Sequence, residues 1–146
     1  MALKSIVAVL GSLVLTPVVN ADQMKSATHP LDSIRFEADS DVKCLLSAVE
    51  AGDPDMGPST IILKAPAGCV VPWHFHTAQE QAVVIRGTVK MEMAGSPAML
   101  LGPGGFALML GKVPHQFACG RQAECLIVVS FDAKYDIAWG RGSNKP

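Results

Sequence analysis

His74 and His76, with Phe75 between them, and Glu80 after three further residues are the side chains of this sequence best suited to act together. On a β-strand successive side chains alternate faces, so His74 and His76 point one way while Trp73 and Phe75 point the other. Thr77, Ala78 and Gln79 are enough for a short turn, after which Glu80 opens the neighbouring strand and brings a carboxylate to the same spot. Two imidazole nitrogens and an oxygen then converge, a donor set for a divalent first-row metal. A fourth donor follows in the Gly104 to His115 stretch, where an apolar strand, a Gly111-Lys112 turn and a second strand opening on His115 supply another imidazole. Three of the four histidines fall in these two segments. A lone strand histidine is more often structural; the concentration here points to a site. The fourth, His29, lies outside both segments and reads as a solvated residue.

Such donors need strands to hold them. Val42 to Glu50, Thr60 to Ala65, Gln81 to Arg86, Thr88 to Met93, Phe106 to Leu110, Val113 to Cys119, Cys125 to Phe131 and Tyr135 to Trp139 all read as strands. Turn formers separate them, among them Gly52-Asp-Pro, Gly95-Ser-Pro97, Gly102-Pro-Gly-Gly105 and Gly120-Arg-Gln. Between Thr88 and Met93 the half-buried pattern is clean, with Thr88, Lys90 and Glu92 alternating with Val89, Met91 and Met93. No segment sustains helical periodicity. About ten short strands joined by Gly/Pro turns make an all-β domain, an antiparallel sandwich or a small barrel closed on itself.

Gly68, His74, His76, Glu80 and Gly87 stand at the spacing of the first conserved motif of the cupins, which this stretch resembles at every fixed position. Gly104 and His115 fit the second cupin motif, whereas Leu110, Lys112 and Cys119 stand where the family has Pro, Gly and Asn. The resemblance implies a cupin-type antiparallel β-barrel, also described as a jelly roll or double-stranded β-helix. It also implies one divalent transition metal (Fe, Mn, Ni, Cu or Zn) on His74, His76, Glu80 and His115. It covers residues 42–140, the expected barrel; residues 22–41 form a lead with a short edge strand, and 141–146 a polar tail.

Residues 1–21 read as a secretory signal: Lys4 supplies the positive start, Ile6 to Val19 an apolar run, and Val19-Asn20-Ala21 a small-x-small cleavage site. Export to the periplasm or beyond is therefore expected, with cleavage after Ala21 and no stable membrane anchor afterwards. The chain has 146 residues, 49% of them hydrophobic, which suits one domain with a sizeable core. A net charge of -1 offers nucleic acid no basic field. An oxidising compartment permits disulfides. Cys119 and Cys125 face each other across a turn and are candidates for pairing, with Cys44 and Cys69 as an alternative pair; burial as free thiols is the third possibility.

Strand parity assigns neighbours to the face of the site: Val70 and Pro72 with the two motif histidines, Ala82 and Val84 with Glu80, Phe117 and Cys119 with His115. This wall is apolar, fitting a small-molecule ligand or substrate. No Tyr, Lys or second carboxylate falls on the inward positions, leaving Glu80 as the single candidate catalytic group. Cupin lyases that cleave dimethylsulfoniopropionate carry a Tyr two residues after the Glu, where this chain has Ala82. The readings that remain are a quercetinase-like dioxygenase and a non-catalytic metal- or ligand-binding protein. Several strands are apolar on both faces, notably Phe106 to Leu110 and Leu126 to Val129. The cover for the outer face is either a second copy, since cupins commonly form homodimers, or the chain's own N-terminal strand.

Overall fold

The computed structural model describes residues 26–141. The leader expected over residues 1–21 and all but the first residue of the polar tail lie outside them. Among the described residues no helix is long and apolar enough to cross a membrane.

Eleven strands follow one 3₁₀ turn at Leu31–Ser33. In chain order they are β1 (Glu37–Ala38), β2 (Leu46–Gly52), β3 (Ser59–Ala65), β4 (Val70–Phe75), β5 (Glu80–Arg86), β6 (Val89–Met93), β7 (Met99–Leu101), β8 (Phe106–Met109), β9 (His115–Cys119), β10 (Cys125–Phe131) and β11 (Ala138–Trp139). They form two antiparallel sheets, one ordered β1-β2-β3-β10-β5-β8 and the other β11-β4-β9-β6-β7. The short β7, which pairs with β6, lies between the two Gly/Pro turns where no strand was expected. Among its described residues the lead contributes the 3₁₀ turn and one two-residue strand, β1, bound to the edge of β2. The Val42 to Glu50 strand starts late, at Leu46, because Asp39 Oδ1 accepts the main-chain N–H of Asp41 and Val42, each at 2.9 Å, and bends the chain into a loop.

Alternation decides what each strand buries. On β6, Val89 and Met91 are inside while Lys90 points outward, and on β8 Ala107 and Met109 are inside while Phe106 and Leu108 are outside. Met109, Val84, Val89 and Cys125 are the largest fully buried side chains and form the middle of the core. Two disulfides complete it: Cys119–Cys125 closes the turn from β9 to β10, and Cys44–Cys69 clasps the loop before β2 to the start of β4 in the opposite sheet. The two pairings coexist rather than compete.

The turn between β8 and β9 departs from the family pattern in a specific way. Lys112, standing where the family has Gly, takes a left-handed φ of 67°, the single positive φ outside glycine among the described residues. Its N–H donates to the His76 carbonyl at 2.7 Å. The preceding Gly111 is needed for a different reason: a Cβ there would lie 2.4 Å from the Thr77 carbonyl oxygen. The turn is thus packed directly on the segment carrying His76.

Candidate metal centre

β4 delivers His74 and, just past its end, His76; β5 opens on Glu80; β9 opens on His115. The pairing of β4 with β9 sets His74 opposite His115, and their ring centroids are 4.3 Å apart. One ligating atom from each of His74, His76, Glu80 and His115 lies within 4.8 Å of all the others, and all four residues are buried.

The direction of each imidazole is set by its far nitrogen. Nδ1 of His74 meets the Pro72 carbonyl at 2.7 Å, Nδ1 of His115 meets the Val113 carbonyl at 2.9 Å, and Nδ1 of His76 meets the Asp136 carbonyl. A carbonyl oxygen only accepts, so each Nδ1 carries the proton, and in a neutral ring Nε2 is left as a bare lone pair. Those lone pairs face Glu80 Oε2, which lies 3.1 Å from Nε2 of His115 and 3.3 Å from Nε2 of His76. Glu80 Oε2 and His115 Nε2 are both buried without an aligned hydrogen-bond partner. Lone pairs facing a carboxylate at this distance repel unless a proton or a metal ion lies between them, and with neutral imidazoles the donor set fits a divalent metal.

Without a metal, protonation of His76 answers the carboxylate. Burial opposes ionisation of Glu80, but His115 and His76 outweigh it and hold the carboxyl down to about 2. Burial pushes His74 down to about 4 despite the Pro72 carbonyl, keeping it a neutral donor. For His76 burial acts downward too, yet the Glu80 carboxylate and the Asp136 carbonyl raise it above its ordinary value.

A cavity of about 730 Å³ opens above these residues. Phe117 lines it, as does Val71, whereas Val70 and Pro72 are exposed on the opposite face. The parity expected for β4 fails because the β4–β9 register shifts between Val71 and His74, and an irregularity of this kind reverses the alternation. Ala82, Val84 and Cys119 do turn inward, but they sit in the core away from the cavity. At about 3.3 Å per residue, Ala82 is already some 7 Å along its strand from Glu80, and Val84 and Cys119 are some 13 Å from Glu80 and His115. His29 stays outside, exposed, with Nδ1 2.8 Å from Glu50 Oε2.

The cavity also holds a tyrosine that parity did not place there. Tyr135 lies in the irregular segment between β10 and β11, with its ring centroid 5.2 Å from that of His76 and 5.1 Å from that of Phe131. Its hydroxyl points to the Asp41 carboxylate at 3.4 Å. Burial first, then Asp41 and Asp39, raise its pKa, so the phenol keeps its proton. The sequence signal was available: Tyr135 is the single tyrosine, flanked by Asp132 and Asp136. Those two carboxylates accept the main-chain N–H of Gln79 and Thr77 respectively, pinning the segment to the turn between His76 and Glu80.

No family model matches the chain, and no curated protein matches it in sequence. Solved structures do match in shape. The polyketide cyclase RemF from Streptomyces resistomycificus superposes with a TM-score of 0.70 at 16% identity, over 84% of this chain and 90% of RemF. An RmlC-like cupin from Shewanella frigidimarina gives 0.63 at 13% identity, over 77% of this chain and 94% of the other. The chain has the cupin fold. The lyase DddQ from Ruegeria pomeroyi, which acts on DMSP, shares this fold with a TM-score of 0.61 at 19% identity, over 84% of this chain and 63% of DddQ. At these identities the likeness concerns the barrel. The cluster that could hold a metal ion rests on this chain's own His74, His76, Glu80 and His115.

Proposed function

We propose that this chain is an exported metalloprotein that holds one divalent transition metal on His74, His76, Glu80 and His115 and acts on a small organic molecule in the cavity above it, in a dioxygenase-like reaction. The observation that carries the proposal is the set of three buried imidazoles, each with Nδ1 tied to a carbonyl, converging on a buried carboxylate that lacks an aligned partner. A metal so held supplies Lewis acidity and, if redox-active, a centre for oxygen chemistry. The chain's own residues do the rest. Val71, Phe117, Val129 and Phe131 give part of the cavity an apolar lining, and Tyr135, its hydroxyl directed at Asp41, adds an aromatic wall with a polar edge. Export is supported by the apolar leader and by both disulfides.

The second reading, a binding protein without turnover, is favoured by the absence of a free base among the described lining residues near the metal: Glu80 serves as ligand and Tyr135 retains its proton. The two separate in one experiment. Protein reconstituted with iron, nickel, copper or manganese is tested for oxygen uptake with flavonols, catechols and diketones. Substrate-dependent uptake that disappears in His74→Ala supports the oxygenase; binding of the same compounds without turnover supports the second reading.

A further inference from the structure

Away from the four donors the cavity lining is predominantly acidic. Glu37, Asp39, Asp41 and Asp55 line it, and Arg35 is the single lysine or arginine among the described lining residues. Acidic rims are common and by themselves select nothing. Here two further features join the rim to the site. Tyr135 forms a continuous wall between the two ends, with its ring against His76 and its hydroxyl at Asp41. The segment bearing it is held by the Tyr135 N–H donating to the Pro54 carbonyl at 2.8 Å. At the inner end, buried Glu80 Oε2 and His115 Nε2 lack aligned partners, marking the place where a ligand-bearing metal sits.

The acidic wall is also fixed in place. Asp39 caps the loop that carries Asp41, Val42 and Leu45 of that loop are buried in the core, and the Cys44–Cys69 disulfide fastens it to β4. The carboxylates of Asp39 and Asp41 therefore hold their positions over the cavity rather than ride on a free tail.

We propose that the cavity selects small organic cations, molecules with oxygen donors at one end to meet the metal and a protonated amine at the other to meet Tyr135 and the Asp39 and Asp41 carboxylates. This rests on the metal-centre reading above and names the substrate class for that site. An ammonium group gains twice from this wall, through attraction to the carboxylates and through the negative face of the tyrosine ring. A carboxylate in the same position meets like charge. The cavity volume of about 730 Å³ lies in the range that holds a molecule of this size.

A matched series of catechols tests the idea, because the metal-binding end stays constant while the side-chain charge changes. Dopamine is cationic, 4-methylcatechol neutral and 3,4-dihydroxyphenylacetate anionic. Each is titrated calorimetrically into zinc-loaded protein at low salt, zinc being redox-inert, after zinc content has been measured. Dopamine should bind about tenfold tighter than 4-methylcatechol and the anion about tenfold weaker, with the spread shrinking in 0.5 M NaCl. Asp41→Asn, a change at an exposed side chain, should reduce the preference for dopamine over 4-methylcatechol severalfold. Protein that takes up no zinc overturns the metal-centre reading together with this inference. Zinc-loaded protein that binds the three compounds equally, prefers the anion or binds none of them overturns this inference alone.

Discussion

The main-chain oxygen of Asp136 accepts the Nδ1 proton of His76, across 60 positions of sequence. The same residue's carboxylate accepts the Thr77 N–H at 2.6 Å and the Thr77 hydroxyl at 2.5 Å. One residue of the segment between β10 and β11 thus meets both the ring of a candidate metal ligand and the backbone that follows it.

Asp136→Ala keeps the main-chain oxygen that meets His76 but frees Thr77 from the carboxylate, so it should weaken metal binding severalfold, less than the about 10-fold to 100-fold cost of losing a group that contacts a ligand directly. Asp136→Asn, which keeps an acceptor oxygen for Thr77, should recover most of it. Competition titration against a chromophoric chelator measures both, and equal affinities for wild type and Asp136→Ala would refute the role.

Protonation makes opposite demands on the empty and the loaded site. Without metal, the raised His76 contributes stability that is full below its unfolded value of 6.5 and is lost as pH rises through its higher folded value. His74, lowered to about 4, acts the other way: the unfolded chain binds more protons between 6.5 and about 4, so stability falls as pH drops through that window. Glu80, held at about 2 against 4.5, adds stability present above 4.5 and lost as pH falls towards 2. Thermal midpoints of metal-free protein should therefore peak near neutrality, at roughly pH 6 to 7. Metal needs the imidazoles free of protons at Nε2, so the midpoint rise on loading should be larger at about pH 8 than at about pH 6. A rise that is larger at the lower pH would contradict this.

Cys44–Cys69 spans 25 positions and Cys119–Cys125 spans 6. By loop closure the first should contribute roughly 3.5 kcal/mol and the second roughly 2 kcal/mol. Urea unfolding of the two double-serine variants would show the order. Mass spectrometry of unreduced, alkylated protein should find no free thiols.

Phe106 and Leu108 project outward along the edge strand β8, Leu110 follows just past its end, and Ile85 lies on the adjacent β5; all four are exposed. A homodimer through this face is the expected cover. Light scattering should give twice the mass of the mature chain, and Phe106→Asp should shift it towards monomer at micromolar concentration. A wild-type monomer across that range would remove the dimer.

The sequence alone determined the strand character, the sheet-forming turns and the four metal donors. Alternation and short spacing act locally, so His74, His76 and Glu80 reach one point through two strand ends and a turn. Only the tertiary structure decided what surrounds those donors. The register shift in β4 exchanged Val70 and Pro72 for Val71, since a local irregularity cancels parity beyond it. Lys112 takes a left-handed turn that its residue type disfavours, beside a Gly111 where a Cβ would lie 2.4 Å from the Thr77 carbonyl oxygen. Tyr135 and Asp41 come from opposite ends of the chain and meet only when the sheets close, a long-range contact that no periodicity in either segment encodes.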